Sequence, residues 1–246
     1  MLPSRCASYT GRCAAFSLVE VLIAMVVVGV ILALVLPALT QAKDQSRATR
    51  CIDNSRLIGA AFTEYSDNNK GQLVPYRRKS PAPENSVVES KKQGYTYWPD
   101  LLSEYAGSHE IWHCPECQHG GDHGFGIGYN QLTDNESMKD PVRNLDDLAS
   151  PSMTVMFGDT DVISNPDATP DSWVADPNAR GQNRLQFEIP ESSTWDNPKS
   201  KPHRVWNRHL GHANVVYADQ HAASIKVSRM GFQEDAKAEN RLWDRD

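Results

Sequence analysis

The side chains best suited to chemistry lie in the stretch HCPECQHGGDH, residues 113–123. Cys114, Cys117, His119 and His123 form a candidate ligand set, because zinc prefers tetrahedral sulfur and nitrogen ligands. A single Cys-x-x-Cys pair, without a second pair at a standard spacing, is a weak metal signature. A redox role is not favoured either, since no strand–helix pattern of the thioredoxin type surrounds the pair. We therefore predict no metal and no cofactor here.

A second group of reactive side chains lies in residues 208–222, near the end of the chain. His209 and Asp219 could serve as an acid and a base. The sequence places no nucleophile beside them, so we predict that the protein is not an enzyme. Residues 213–218 and 221–227 have the pattern of a β-hairpin with a tight turn between them. We expect a contact between His209 and Asp219 to fix this hairpin.

Residues 153–159 are predicted to form a buried strand that ends in a turn, and a series of aspartates begins at its last residue. These acids are Asp159, Asp161, Asp167, Asp171 and Asp176. Calcium takes many oxygen ligands, but the spacing of these acids matches no calcium-binding loop. We predict that they are solvated loop residues.

The charge balance bears on the choice of partner. The chain has 25 basic and 31 acidic residues, for a formal net charge of −6. Nucleic-acid binding requires a basic face, so no nucleic-acid partner is expected. Of the five cysteines, three lie after residue 15, namely Cys51, Cys114 and Cys117.

These groups belong to a chain that begins with a strongly apolar segment. Residues 16–39 read FSLVEVLIAMVVVGVILALVLPAL, with one acid at Glu20. About 20 apolar residues span a bilayer as a helix. A buried core helix would usually carry a polar stripe, and this segment has none. We predict a transmembrane helix.

The residues at the start of this segment resemble the cleavage and methylation signature of type IV pilins and type II secretion pseudopilins. The signature corresponds to residues 15–20, AFSLVE, and Glu20 is the fifth residue if the mature chain starts at Phe16. Pro37 also falls where the family often has proline. Ala15 departs from the usual glycine, although it is small enough for cleavage.

This resemblance implies how the protein is processed, where it is located and how it assembles. A prepilin peptidase would cut between Ala15 and Phe16, and Glu20 would pair with the N-terminal amine of a neighbouring pilin-like subunit. The protein would be a single-pass protein of the bacterial inner membrane with a head in the periplasm or on the cell surface. It would join a type IV pilus or a type II secretion pseudopilus through its N-terminal helix. The alternative is a membrane-tethered binding or metal-binding module that uses the same export route.

Two further motifs resemble a large group of pilin-like proteins. Cys51 lies at a cysteine position of that group, and residues 112–115 (WHCP) match its Cys-Pro motif. The resemblance implies a Cys51–Cys114 disulfide, with zinc binding and free thiols as the alternatives. His209 and Asp219 match a C-terminal His-x9-Asp-Gly motif, in which Gln220 replaces the glycine.

The fold class expected from these segments is α+β, with a long membrane-spanning helix and a loop-rich head built on a small antiparallel sheet. We assign residues 1–15 to a leader, 16–39 to the transmembrane helix, 40–66 to the outer half of the same helix, and 67–246 to the head. Apolar or small residues recur in steps of three and four along the outer half, which predicts one buried helical face. They are Ala48, Cys51, Ser55, Ile58, Phe62 and Tyr65.

Overall fold

The computed structural model describes residues 17–88, 94–107, 109–117, 125–134, 141–179, 185–190, 195, 201–232 and 241–243. The chain divides into two compact units, Met1–Lys43 and Asp44–Asp246. A long apolar helix at the N-terminus and a small mixed sheet confirm the expected α+β class.

The first helix, α1, comprises Leu18–Asn68 and contains Pro37. Its apolar side chains in the first unit are exposed, as Leu18 at 78% and Met25 at 71% illustrate. An 18-residue window of α1 has a mean hydropathy of 3.1 and no buried residue. By length and composition, α1 is able to cross a membrane.

The part of α1 in the second unit is amphipathic. Cys51, Ser55, Ile58, Phe62 and Tyr65 are all buried there, which confirms the helical face predicted from the sequence. Gly59 lies on the same face, in close contact with the sheet. A Cβ atom at this position would lie 2.7 Å from the carbonyl oxygen of Gln220.

The described residues of the second unit form two sheets. The smaller pairs β1 (Arg77–Arg78) with β2 (Thr96–Tyr97), which leads directly into helix α2 (Trp98–Ala106). The larger has six strands, β3 (Ile127–Asn130), β4 (Val155–Val162), β5 (Gln186–Phe187), β6 (His203–Val205), β7 (Ala213–Tyr217) and β8 (Ala222–Ile225).

Strand β4 is the centre of the larger sheet. It pairs antiparallel with β3 along one edge, and with β7 and then β6 along the other. Strands β7 and β8 form the antiparallel hairpin predicted from the sequence. The larger sheet is antiparallel, as expected, except that β5 runs parallel to β3. A parallel pair needs a long crossover, and the 55 residues from 131 to 185, which include β4, connect β3 to β5.

Aromatic side chains fill the space between α1 and the sheet. Phe62 of α1 makes edge-to-face contacts with Tyr129 on β3 and Phe157 on β4, at centroid distances of 6.3 and 5.4 Å. Trp98 packs against Phe157 at 5.0 Å and donates its indole N–H to the carbonyl oxygen of Leu185. These contacts hold the second-unit part of α1 on the face of β3 and β4.

Candidate functional site

Four buried polar side chains from distant parts of the chain meet beneath α1. They are Cys51, Cys114, Asp159 and His209, and one ligand atom from each lies within 4.8 Å of the others. We refer to these four residues as the Cys-Asp-His cluster. All four belong to the second unit.

A different element supplies each member of the cluster. Cys51 faces inward from α1, and Asp159 lies in the middle of β4. Cys114 follows the 3-10 turn at His109–Trp112, and its backbone N–H donates to the carbonyl oxygen of Phe125, just before β3. His209 sits in a tight loop before β7, where it exchanges backbone hydrogen bonds with His212. Regular structure or backbone hydrogen bonds therefore hold every member in place.

The contacts within the cluster are short. Cys51 Sγ lies 3.5 Å from Asp159 Oδ1, and His209 Nε2 lies 3.4 Å from both Cys114 Sγ and Asp159 Oδ2. The backbone N–H of Asn214 donates to Asp159 Oδ2 at 2.7 Å. Both oxygens of the Asp159 carboxylate thus contact neighbouring groups.

Burial makes the charges of this region strongly interdependent. Cys51 is 0% exposed, Asp159 1%, and Cys114 and His209 4% each. Ions removed from water cost several kcal/mol unless they are paired. Arg208 supplies a partner, since its guanidinium lies 3.5 Å from Asp159 and 3.4 Å from Asp161. It also donates to the backbone carbonyl oxygens of Gly126 and Thr160.

The pKa values of the cluster follow from these contacts. The hydrogen bond from the Cys51 thiol lowers the pKa of Cys114 to about 5 against the effect of burial, and His209 adds to the lowering. The same hydrogen bond between Cys51 and Cys114, together with burial, raises the pKa of Cys51. Burial lowers the pKa of His209, but contacts with Asp159 and Cys114 outweigh it and raise that pKa to about 10. The cluster therefore stabilises a thiolate at Cys114 next to a cationic His209.

The structure brings together the two cysteines for which a disulfide was predicted. Both thiols are unbridged, and both belong to the Cys-Asp-His cluster. The disulfide stays a prediction. Of the ligand set proposed from the sequence, Cys114 is in the cluster, and Cys117 donates its backbone N–H to the carbonyl oxygen of Cys114. His119 and His123 lie outside the described residues.

The expected contact between His209 and Asp219 is replaced by two others. His209 contacts Asp159 on β4, whereas Asp219 Oδ1 lies 2.5 Å from His221 Nδ1 in the β7–β8 turn. Gln220 has a φ of 72° in that turn. It adopts the left-handed conformation that a glycine would adopt without strain. The turn itself fixes the hairpin, and His209 joins the cluster instead.

Sequence reasoning missed the role of Asp159. It predicted a solvated loop acid after a strand that ends in a turn, but β4 continues through Asp161 to Val162 and every residue in it is buried. The apolar Val162 and Ile163 after the acids were a signal that the strand continues. The cation that pairs with both acids, Arg208, is far away in sequence.

The residues assigned to processing and assembly belong to the first unit. Ala15 and Phe16 lie outside the described residues. Glu20 is in the first turn of α1, where its backbone N–H donates to the carbonyl oxygen of Ser17. An acid near the N-terminus of a helix interacts favourably with the helix dipole.

Comparison with known families gives a match at the N-terminus. The family described as the prokaryotic N-terminal methylation motif matches residues 10–36. This stretch includes the predicted cleavage point, Glu20 and most of the apolar part of α1. Searches of curated proteins and of solved structures gave no match. The matched residues identify the N-terminal part of the chain as a prepilin-type cleavage and methylation segment.

Proposed function

We propose that this protein is a pilin-like or pseudopilin-like subunit that is assembled into a filament through α1. The observation that carries the proposal is the methylation motif at residues 10–36, which runs into a helix with exposed apolar side chains. The role is structural rather than catalytic. The separation of His209 from Asp219 and the burial of the Cys-Asp-His cluster support a structural role.

The exposed apolar surface of α1 needs a cover. Leu22, Val26 and Leu34 are each more than half exposed. Burying such a side chain stabilises by about 1.5–3 kcal/mol, so lipid or neighbouring helices must cover the segment. Lipid covers it in the free subunit, and the helices of other subunits replace the lipid in a filament.

Glu20 adds specificity to this packing. An ionised carboxylate inside a membrane is costly unless it finds a partner. Cleavage by prepilin peptidase before Phe16 would create a new amine in each subunit. That amine pairs with Glu20 of a neighbouring subunit, so only processed chains assemble. We place the protein in the inner membrane as a single-pass subunit, with its second unit in the periplasm or on the cell surface.

The test replaces the acid and measures contact between subunits. Glu20→Leu should be inserted and processed normally, because it removes a charge from an apolar segment. Crosslinks between subunits through a photoreactive residue at Met25, which is 71% exposed, should fall at least about 10-fold. Breaking a buried charge pair costs about 3–5 kcal/mol, and each 1.4 kcal/mol is a factor of about ten.

Glu64→Leu is the matched control, since Glu64 is an exposed acid on the part of α1 in the second unit. It should leave crosslinking unchanged. Equal crosslinking in the wild type and Glu20→Leu would remove Glu20 from the assembly mechanism. Strains that lack either the pilus or the secretion assembly ATPase separate the two machines, because crosslinking disappears in the strain whose filament the subunit joins.

The second candidate function is a membrane-tethered metal-binding module that uses the prepilin route only for export. The Cys-Asp-His cluster favours it. Such a module would show no crosslinking between subunits in any strain, whether or not it binds a metal.

A further inference from the structure

We propose that Cys51, Cys114, Asp159 and His209 form a structural metal site that binds one divalent cation in tetrahedral geometry. The ligand chemistry selects zinc. The site differs from the set suggested by the Cys-x-x-Cys motif, with which it shares only Cys114. It does not depend on assembly, because all four residues lie in the second unit.

The geometry fits a tetrahedral ion. Zinc binds cysteine sulfur at about 2.3 Å and histidine nitrogen or carboxylate oxygen at about 2.0–2.2 Å. Four such ligands at tetrahedral angles are separated by roughly 3.3–3.8 Å. Cys51 Sγ lies 3.5 Å from Asp159 Oδ1, and Cys114 Sγ lies 3.4 Å from His209 Nε2. His209 Nε2 is also 3.4 Å from the second carboxylate oxygen, Asp159 Oδ2, and one ligand atom from each of the four residues lies within 4.8 Å of the others. The four side chains therefore surround a common point, and an ion there would draw the more widely spaced ligand atoms closer together.

The donor set decides which cation fits. Calcium and magnesium take six or more oxygen ligands, and this site offers one carboxylate. Two cysteine sulfurs and a histidine nitrogen, which release their protons when a metal binds, are the ligands that zinc and other borderline or soft cations prefer. With four protein ligands, all at most 4% exposed, the site leaves no position for a substrate. This closed arrangement is typical of structural zinc sites.

Neighbouring groups orient the ligands. The backbone N–H of Asn214 and the guanidinium of Arg208 contact the Asp159 carboxylate at 2.7 and 3.5 Å. Contacts of this kind fix the direction of a ligand and tune its basicity. The backbone N–H of Cys114 is bonded to Phe125 at 2.9 Å. The ligands therefore start close to their bound positions, which lowers the entropy cost of binding.

A bound ion would join four separate segments of the second unit. It would connect α1 with β4, with the segment before β3 and with the loop before β7. The same two thiols cannot form a disulfide and hold the ion at once, because a disulfide brings the sulfur atoms to about 2.05 Å. Metal binding and the predicted Cys51–Cys114 bridge are thus mutually exclusive states of the protein.

The first test measures the metal content of the full-length chain, purified in detergent with a thiol-free reductant and loaded with zinc. Wild type should retain about one equivalent of zinc after gel filtration. Loss of a residue that only contacts a ligand lowers metal affinity by about 10–100-fold. Cys114→Ser and His209→Asn each remove a ligand, so they should lower zinc affinity, measured by chelator competition, by more than this. Cys117→Ser and His221→Asn, which change the same residue types outside the cluster, should retain wild-type affinity.

A second measurement does not depend on whether the variants fold. Cobalt(II) loaded into wild type should give the visible bands of a tetrahedral ion together with thiolate charge-transfer bands in the near ultraviolet. Substoichiometric zinc in the loaded wild type would overturn the proposal. So would an octahedral cobalt spectrum, or an equal loss of affinity in Cys117→Ser. The proposal would also be overturned if the protein carried a Cys51–Cys114 disulfide and, after reduction of that bond, still bound no zinc. Subunit crosslinking is not a readout here, so a negative result leaves the assembly proposal untouched.

Discussion

Phe62→Ala is the sharpest test of how α1 contributes to the second unit. Phe62 is 1% exposed and makes edge contacts with Tyr129 and Phe157. Truncation of a buried phenylalanine to alanine costs about 3–5 kcal/mol, from lost burial and from the cavity that remains. A domain is stable by only about 5–15 kcal/mol. The variant should therefore lose a large fraction of the free energy of unfolding.

Leu57→Ala is the matched control. Leu57 lies on the same helix and is 50% exposed. Its truncation should change the free energy of unfolding by no more than about 0.5 kcal/mol, as is usual at surface positions. The two substitutions thus lie on the same helix and introduce the same side chain, but one replaces a buried residue and the other an exposed one.

The assay is urea unfolding of the full-length chain in detergent, followed by tryptophan fluorescence. Trp98 and Trp112 are fully buried next to these aromatic contacts, so their emission reports the loss of the core. At about 2–4 °C per kcal/mol for a domain of this size, Phe62→Ala should also lower Tm by about 6–20 °C. A difference of less than about 1 kcal/mol between the two variants would refute the packing described here.

Two further predictions concern pH and processing. Burial raises the pKa of Glu188 from 4.5 to about 7, so the folded state binds more protons than the unfolded state between these values. Stability should therefore fall as pH rises from about 4.5 to about 7, and Glu188→Gln should remove about 3 kcal/mol of this fall in urea titrations at several pH values. An unchanged slope in the variant would contradict this assignment. Mass spectrometry of the mature chain should find an N-methylated Phe16. Ala15→Trp should leave the precursor uncut, whereas Ala15→Gly should be processed, and cleavage of the tryptophan variant would contradict the assigned position.

Local sequence patterns predicted the elements that depend on local physics. The apolar run and the three- and four-residue spacing of Cys51, Ile58 and Phe62 were sufficient to predict α1 and its buried face. The alternation of residues 213–218 and 221–227 predicted the β7–β8 hairpin. Each of these features is set by neighbours within a few turns or strands, so one sequence is enough to find it.

The Cys-Asp-His cluster could not be predicted in the same way. Asp159 looked like a loop acid because a buried carboxylate needs a partner, and its partners Arg208 and Asn214 are distant in sequence. His209 was paired with the wrong aspartate because the motif suggested a contact within the hairpin. The pairing of β4 with β7 brings Asn214 next to Asp159, and no local pattern encodes that pairing.

The position of β4 has a consequence for the order in which the chain folds. One edge of β4 pairs with β7, and the backbone N–H of Val155 donates to the carbonyl oxygen of Leu242 at 2.6 Å. Contacts between residues this far apart make folding slow, on the order of milliseconds to seconds. An unpaired edge of a strand is also a site of aggregation. This edge of the central strand therefore stays open until residues 213–217 are available to pair with it.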